Sequence, residues 1–123
     1  MNPFVLHAAW TLTAAFLISC AYELYRATAK AGVSDHDSMA AFVREGLPVY
    51  VVAGFVIGLM FWGPAWAAWL GLVLAILGIL VSVFYYNPRI MTVRKPELLD
   101  WVEDLVFTGL LFVAATQLAY GLF

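Results

Sequence analysis

The sequence predicts an all-α polytopic membrane protein, a four-transmembrane-helix bundle with both termini outside, and three observations predict it. Of 123 residues, 65% are hydrophobic and only 11% are charged. The fourteen Asp, Glu, Lys and Arg residues fall in two clusters, seven in 23–45 and seven in 89–104, leaving charge-free tracts at 1–22, 46–88 and 105–123. All six basic residues, Arg26, Lys30, Arg44, Arg89, Arg94 and Lys95, lie inside those clusters. A water-soluble domain carries roughly a quarter of its residues as charges and breaks its apolar runs to keep one face wet, so that class is excluded.

The tract lengths set the number of spans. An α-helix rises about 1.5 Å per residue, and the hydrocarbon core is roughly 30 Å thick, so one span needs about 20 residues. The first tract supplies one span, expected at 4–27, and the last supplies another at 98–122. The middle tract of 43 residues would make a helix of about 65 Å, over twice the membrane thickness, so it must fold back. Gly63-Pro64 marks the turn, because Gly is a flexible joint and Pro ends one helix and opens the next. The two inner spans are therefore expected at 47–62 and 65–86, in a single membrane domain covering 1–123. A transmembrane β-barrel would show strands of alternating polarity, whereas Leu70 to Val81 is almost continuously apolar.

Orientation follows from the basic residues. They occupy the connections at about 28–46 and 87–97 and the span ends beside them, all on one side. Basic residues near span ends are retained in the cytoplasm, so the expected location is the cell (inner) membrane, with charged loops cytoplasmic and both termini outside. Met1-Asn2-Pro3-Phe4 has no basic stretch of the kind that opens a cleaved leader, so the first tract reads as a membrane helix of the mature chain. Trp62, Trp66 and Trp69 gather at the outer turn, while Tyr22, Tyr25, Tyr85, Tyr86 and Trp101 gather at inner span ends, where aromatic rings keep one edge wet.

The two connections carry their own signals. Ser34 to Asp37 offers N-cap residues for a helix running through 45, and Gly46 and Pro48 then bend it into the second span. Asp35-His36-Asp37 has no second His or Cys nearby and reads as capping rather than as a metal cluster. Pro96 suits the first turn of the last helix, and Glu97, Asp100, Glu103 and Asp104 put four carboxylates near its positive dipole end. Arg89, Arg94 and Lys95 are the expected counter-charges. Glu23 and Arg26, three residues apart, are expected to pair locally.

Glu103 and Asp104 are the acids closest to the apolar part of the last span, and ionisable groups at membrane depth point to function. Glu103 lies within about 40° of Gln117 around the helix. Glu103, Asp104, Gln117 and Thr108 therefore form the candidate ion or partner site, weighed against a dipole-compensating, salt-bridged helix start. Gly54 and Gly58, with Ala67, Gly71, Ala75, Gly78 and Ser82, form the candidate helix-packing interface, since small residues let helices approach closely in lipid. Spans 2 and 3 are accordingly expected to make a tight hairpin.

Cys20 is the single cysteine, which excludes an intrachain disulfide or CxxC pair. His7, one to two turns into span 1, is the only intramembrane ligand for a haem iron, and a second would have to come from elsewhere. No phosphate-binding loop, zinc-protease or nucleophile-elbow motif is present. The first expectation is thus a small non-catalytic integral membrane subunit, not an enzyme, with a structural, assembly or regulatory role in a larger complex or homo-oligomer. Its expected partners are membrane lipids and other membrane subunits or further copies of itself, with no nucleic acid and no cofactor. A small oligomeric ion or solute transporter or channel is the alternative, and a haem- or quinone-linked redox subunit the third reading.

Overall fold

The structure, a computed structural model, describes residues 2–123. Four helices long and apolar enough to cross a membrane dominate it: α1 (Pro3–Thr28), α2 (Met39–Trp62), α3 (Ala67–Arg89) and α4 (Leu98–Leu122). Asn2 caps α1, its Oδ1 accepting the Phe4 N–H at 2.8 Å, and Pro3 fits the first helical position, where its missing N–H costs nothing. The Asn2 amide also donates to the Gly121 carbonyl at 3.1 Å, tying the start of α1 to the end of α4.

The capping residue of α2 is Ser38, whose Oγ accepts the Ala41 N–H at 3.0 Å. The helix thus starts later than the expected Ser34 to Asp37. Those two residues are engaged with each other, Ser34 Oγ donating to Asp37 Oδ2 at 2.8 Å. Instead of bending at Gly46, α2 stays continuous through a widened π-helical turn at Phe42–Gly46, in which the Leu47 N–H reaches back to the Phe42 carbonyl. A second such turn, Ser82–Tyr86, sits in α3 with the Asn87 N–H on the Ser82 carbonyl. Both have one physical cause. Pro48 and Pro88 follow two residues later; a proline offers no N–H to the carbonyl four residues back and its ring collides with it, and a wider turn removes the collision.

Gly63 ends α2 in the left-handed conformation, φ +110°, with its N–H on the Leu59 carbonyl at 3.1 Å. Glycine enters that region without a Cβ penalty, which is why the chain reverses there. Between α3 and α4 a 3₁₀ turn at Met91–Arg94 leads to Lys95 at φ +53° and then Pro96. Glu97 caps α4 reciprocally with Asp100, the Glu97 N–H donating to Asp100 Oδ2 at 2.8 Å.

The helices form a ring in chain order, with the most extensive packing between α1 and α4, then between α3 and α4. Ala8, Leu12 and Ala15 of α1 meet Leu111, Ala114 and Leu118 of α4 in the core, all fully buried. Their i, i+3/i+4, i+7 spacing puts each set on one face, and alanines let the two backbones approach.

The expected helix-packing interface divides. Ala67, Gly71, Ala75 and Ser82 are buried and Gly78 is half-buried, and the stripe faces α4 as much as α2. A Cβ on Gly71 would stand 2.6 Å from Met60 Sδ of α2, and one on Gly78 would stand 2.7 Å from Leu111 Cδ1 of α4. Gly54 and Gly58 face outward with nothing within 4 Å of an added Cβ. The tight hairpin expected between spans 2 and 3 is therefore corrected. The two helices touch near their turn, where Met60 fills the Gly71 notch, and part toward the charged end, because the rest of the small face on α3 is taken by α4.

Candidate functional site

At the charged end, two buried arginines bind the connections together. Arg26, at the end of α1, donates from Nε to Asp37 Oδ1 at 2.9 Å and from Nη2 to Asp37 Oδ2 at 2.7 Å. It also reaches Asp100 Oδ1 at 3.4 Å and the Arg94 carbonyl at 2.8 Å. Arg94 grips both oxygens of Glu23 at 3.0 and 2.8 Å, donates to Tyr86 Oη at 2.9 Å and to the His36 carbonyl at 3.1 Å, and has its Nε 3.3 Å from Asp37 Oδ1 without a hydrogen bond between them. The Tyr22 hydroxyl donates to Asp100. Arg26, Asp37, Arg94 and Asp100 are all at most 3% exposed.

Planar guanidiniums satisfy several oxygens at once, which suits them to such burial. Burial pushes the Asp37 carboxyl up, but the hydrogen bonds from Arg26 and Ser34 and the charges of both arginines hold it below its ordinary value of 3.8. Burial likewise opposes the charge on Arg94, and Glu23 overrides it, so Arg94 stays a cation throughout the accessible pH range.

The local pair expected between Glu23 and Arg26 is corrected: Glu23 binds Arg94, and Arg26 binds Asp37 and Asp100. Asp37, read from the sequence as a cap, is the buried centre of this network, while Asp35 is exposed. The expected counter-charges of α4 are corrected as well. Glu97 pairs with Lys30 at 3.3 Å, Asp100 with Arg26, and Arg89 lies 5.7 Å from the Tyr85 ring centroid. Glu103 and Asp104 have no ion-pair partner among the described residues.

Both acids line a cleft of about 510 Å³ between α2 and α3, backed by α1 and α4. Its inner walls are apolar, formed by Phe16, Leu74, Leu77 and Phe107 among others. Val49 on α2 and Leu77, Val81 and Tyr85 on α3 line it while remaining about half exposed, so the cleft opens sideways between the two parted helices. Both π-helical turns border it, through Phe42 and Gly46 on one side and Ser82 and Tyr86 on the other. The charged end is closed by Arg94 with Glu23, and by His36, whose Nδ1 lies 2.8 Å from Glu45 Oε1.

The hydroxyls in this region largely satisfy one another. Ser19 and Tyr50 share a 2.8 Å hydrogen bond, as do Ser82 and Thr108. Ser82 also lies 3.3 Å from Asp104 Oδ1. The structure therefore brings Glu103, Asp104 and Thr108 together and separates Gln117, whose Oε1 accepts from Thr11 at 2.9 Å farther along the bundle. Glu23, Arg94, Ser19 and Tyr50 were not singled out as site residues from the sequence. The one available signal was Gly46-Leu47-Pro48 and Tyr86-Asn87-Pro88, which mark helix distortions at equivalent heights.

His7 is exposed on the outside of α1. Among the described residues no group of three His, Cys, Asp or Glu side chains is arranged to hold a metal ion. A second cleft of about 270 Å³ at the opposite end, beside Gly63 and Gly121, has no ionisable residue in its lining. No family model, no curated protein and no solved structure matches this chain.

Proposed function

We propose that this chain is a membrane-embedded, non-catalytic binding protein of the solute-transporter class, which takes a small molecule into the cleft between α2 and α3. The cleft itself carries the reading. At about 510 Å³ it falls within the roughly 300–1,000 Å³ of small-molecule sites, apolar with a few convergent polar groups. A four-helix chain this short gains stability by closing such a space. Here two proline-driven turns hold the helix walls around it, and widened helical turns recur at functional sites. In this proposal the connections at the charged end lie in the cytoplasm, as the six basic residues there favour, and the cleft opens into the adjoining lipid leaflet.

A titration tests this with protein reconstituted in lipid nanodiscs and 1-N-phenylnaphthylamine, a neutral apolar fluorophore, with empty nanodiscs as baseline. The expected result is a saturable excess of about one site per chain. Leu77→Trp combined with Val81→Trp fills the mouth and should abolish it. No saturable excess, or an excess unchanged in the filled variant, overturns the reading.

Self-association, the homo-oligomeric form of an accessory subunit, is a second reading with one observation in its favour. Gly54 and Gly58 present an open small face on the outside of α2, the geometry by which helices pair in lipid. Gly54→Ile with Gly58→Ile should then shift the detergent-solubilised mass to that of one chain. An unchanged mass removes this reading.

A further inference from the structure

The cleft bears a charge pattern that selects its occupant, and we infer that it binds an organic cation with an apolar body, entering sideways from the lipid between α2 and α3. The inference rests on the cleft-binding reading and adds the ligand class. Arg94, the one Lys or Arg in the cleft lining among the described residues, is committed to Glu23 on two oxygens, and Arg26 behind it is committed to Asp37 and Asp100. His36 sits against Glu45. Glu103 and Asp104 are left as half-buried carboxylates with no positive partner among the described residues, lining a space whose inner walls are apolar.

Such a space treats the ligand classes differently. An anion would meet two more negative groups. A neutral apolar molecule can lie against the apolar inner walls, but it leaves the two carboxylates unpaired and gains nothing from them. A bare divalent metal needs about six oxygen ligands converging on one point, whereas Glu103 and Asp104 are adjacent on α4 and so diverge by about 100° around it. Diverging acids beside a broad apolar wall suit a diffuse charge carried on a bulky body. The wall adds rings from Phe16, Phe42, Tyr50, Tyr85 and Phe107, and aromatic faces attract organic cations once water is excluded. Of the half-exposed residues at the mouth, Val49, Leu77 and Val81 are aliphatic and Tyr85 is aromatic, so an apolar body passes them without losing contact with an oily surface.

Tetraphenylphosphonium and tetraphenylborate, nearly identical in shape and opposite in charge, make the test. Each is titrated into the reconstituted wild-type chain and followed by isothermal calorimetry against empty nanodiscs. The cation should bind with a saturable isotherm at least about tenfold tighter than the anion, and this comparison needs no variant. Glu103→Gln with Asp104→Asn should weaken the cation at least about tenfold and leave phenylnaphthylamine binding intact, which also shows that the variant is folded. Equal affinity for the two ions, or a cation affinity unchanged in the double variant, overturns the inference. If phenylnaphthylamine still saturates the cleft in that case, only the ligand class has failed; if neither ion nor dye saturates, the cleft reading has failed with it.

Discussion

Replacing Asp37 by Asn removes the charge at the centre of the buried network while nearly keeping the volume. The wild-type carboxylate is fully buried and accepts from Arg26 at 2.9 and 2.7 Å and from Ser34 at 2.8 Å, with Arg94 Nε at 3.3 Å. Breaking a buried ion pair by removing one partner typically costs about 3–5 kcal/mol, because the other charge stays buried and uncompensated. Part of that is retained here. Arg26 keeps Asp100 at 3.4 Å and the Arg94 carbonyl at 2.8 Å, and Arg94 keeps both oxygens of Glu23. The lower end, about 3 kcal/mol, is therefore expected, equivalent to a fall of roughly 10 °C in melting midpoint for a chain of this size. The five tryptophans report the transition by fluorescence in mild detergent. Asp35→Asn, at an exposed carboxylate without ion-pair partners, is the control and should stay within about 0.5 kcal/mol. A loss under about 1 kcal/mol for Asp37→Asn, or one equal to the control, would refute the reasoning that this pairing holds the two connections together.

Acid should act through the same residue. The Asp37 carboxyl is held below 3.8 in the folded chain, so its contribution is present above the unfolded value and is lost as pH falls through the folded one. The stability gap between wild type and Asp37→Asn should thus be constant near neutrality and shrink as pH falls below 3.8, as thermal melts at stepped pH would report. A gap that widens on acidification contradicts the assignment. The glycines separate by environment. Gly71→Val and Gly78→Val push a side chain against Met60 and Leu111 at 2.6 and 2.7 Å and should each destabilise by about 1–3 kcal/mol. Gly54→Ala and Gly58→Ala meet open space and should be neutral or stabilising by up to about 1 kcal/mol, as expected for Gly replaced inside a helix. The same melts decide both.

The four helices were legible because charge and hydropathy are local signals along the chain. Expected bounds of 4–27, 65–86 and 98–122 compare with Pro3–Thr28, Ala67–Arg89 and Leu98–Leu122. The second helix is longer than its apolar stretch, starting at Met39, because its first two turns are held by Ser38 and by packing at the charged end, neither of which a hydropathy window registers. The ion pairs were not legible. Residue spacing pairs Glu23 with Arg26, whereas the fold pairs Glu23 with Arg94, 71 residues away. Which charges meet depends on how two connections fold over one bundle end, and no local rule carries that. Of the four candidate site residues, Glu103, Asp104 and Thr108 share a neighbourhood, and Gln117 lies about two and a half turns beyond Thr108 on the same helix. A shared helical face is a statement about angle and leaves height out.

The two widened turns also have a consequence for phase. A π-helical turn holds one residue more than the α-helical turn it replaces, so everything beyond it is rotated by about 100° relative to an uninterrupted helix. In α3 Gly71 and Gly78, before the turn, address α2 and α4, while Tyr86 at the end of the turn accepts from Arg94. One inserted residue thus lets a single helix keep its packing face along the bundle and aim its charged end separately. A one-residue deletion there would re-phase the helix and remove that separation.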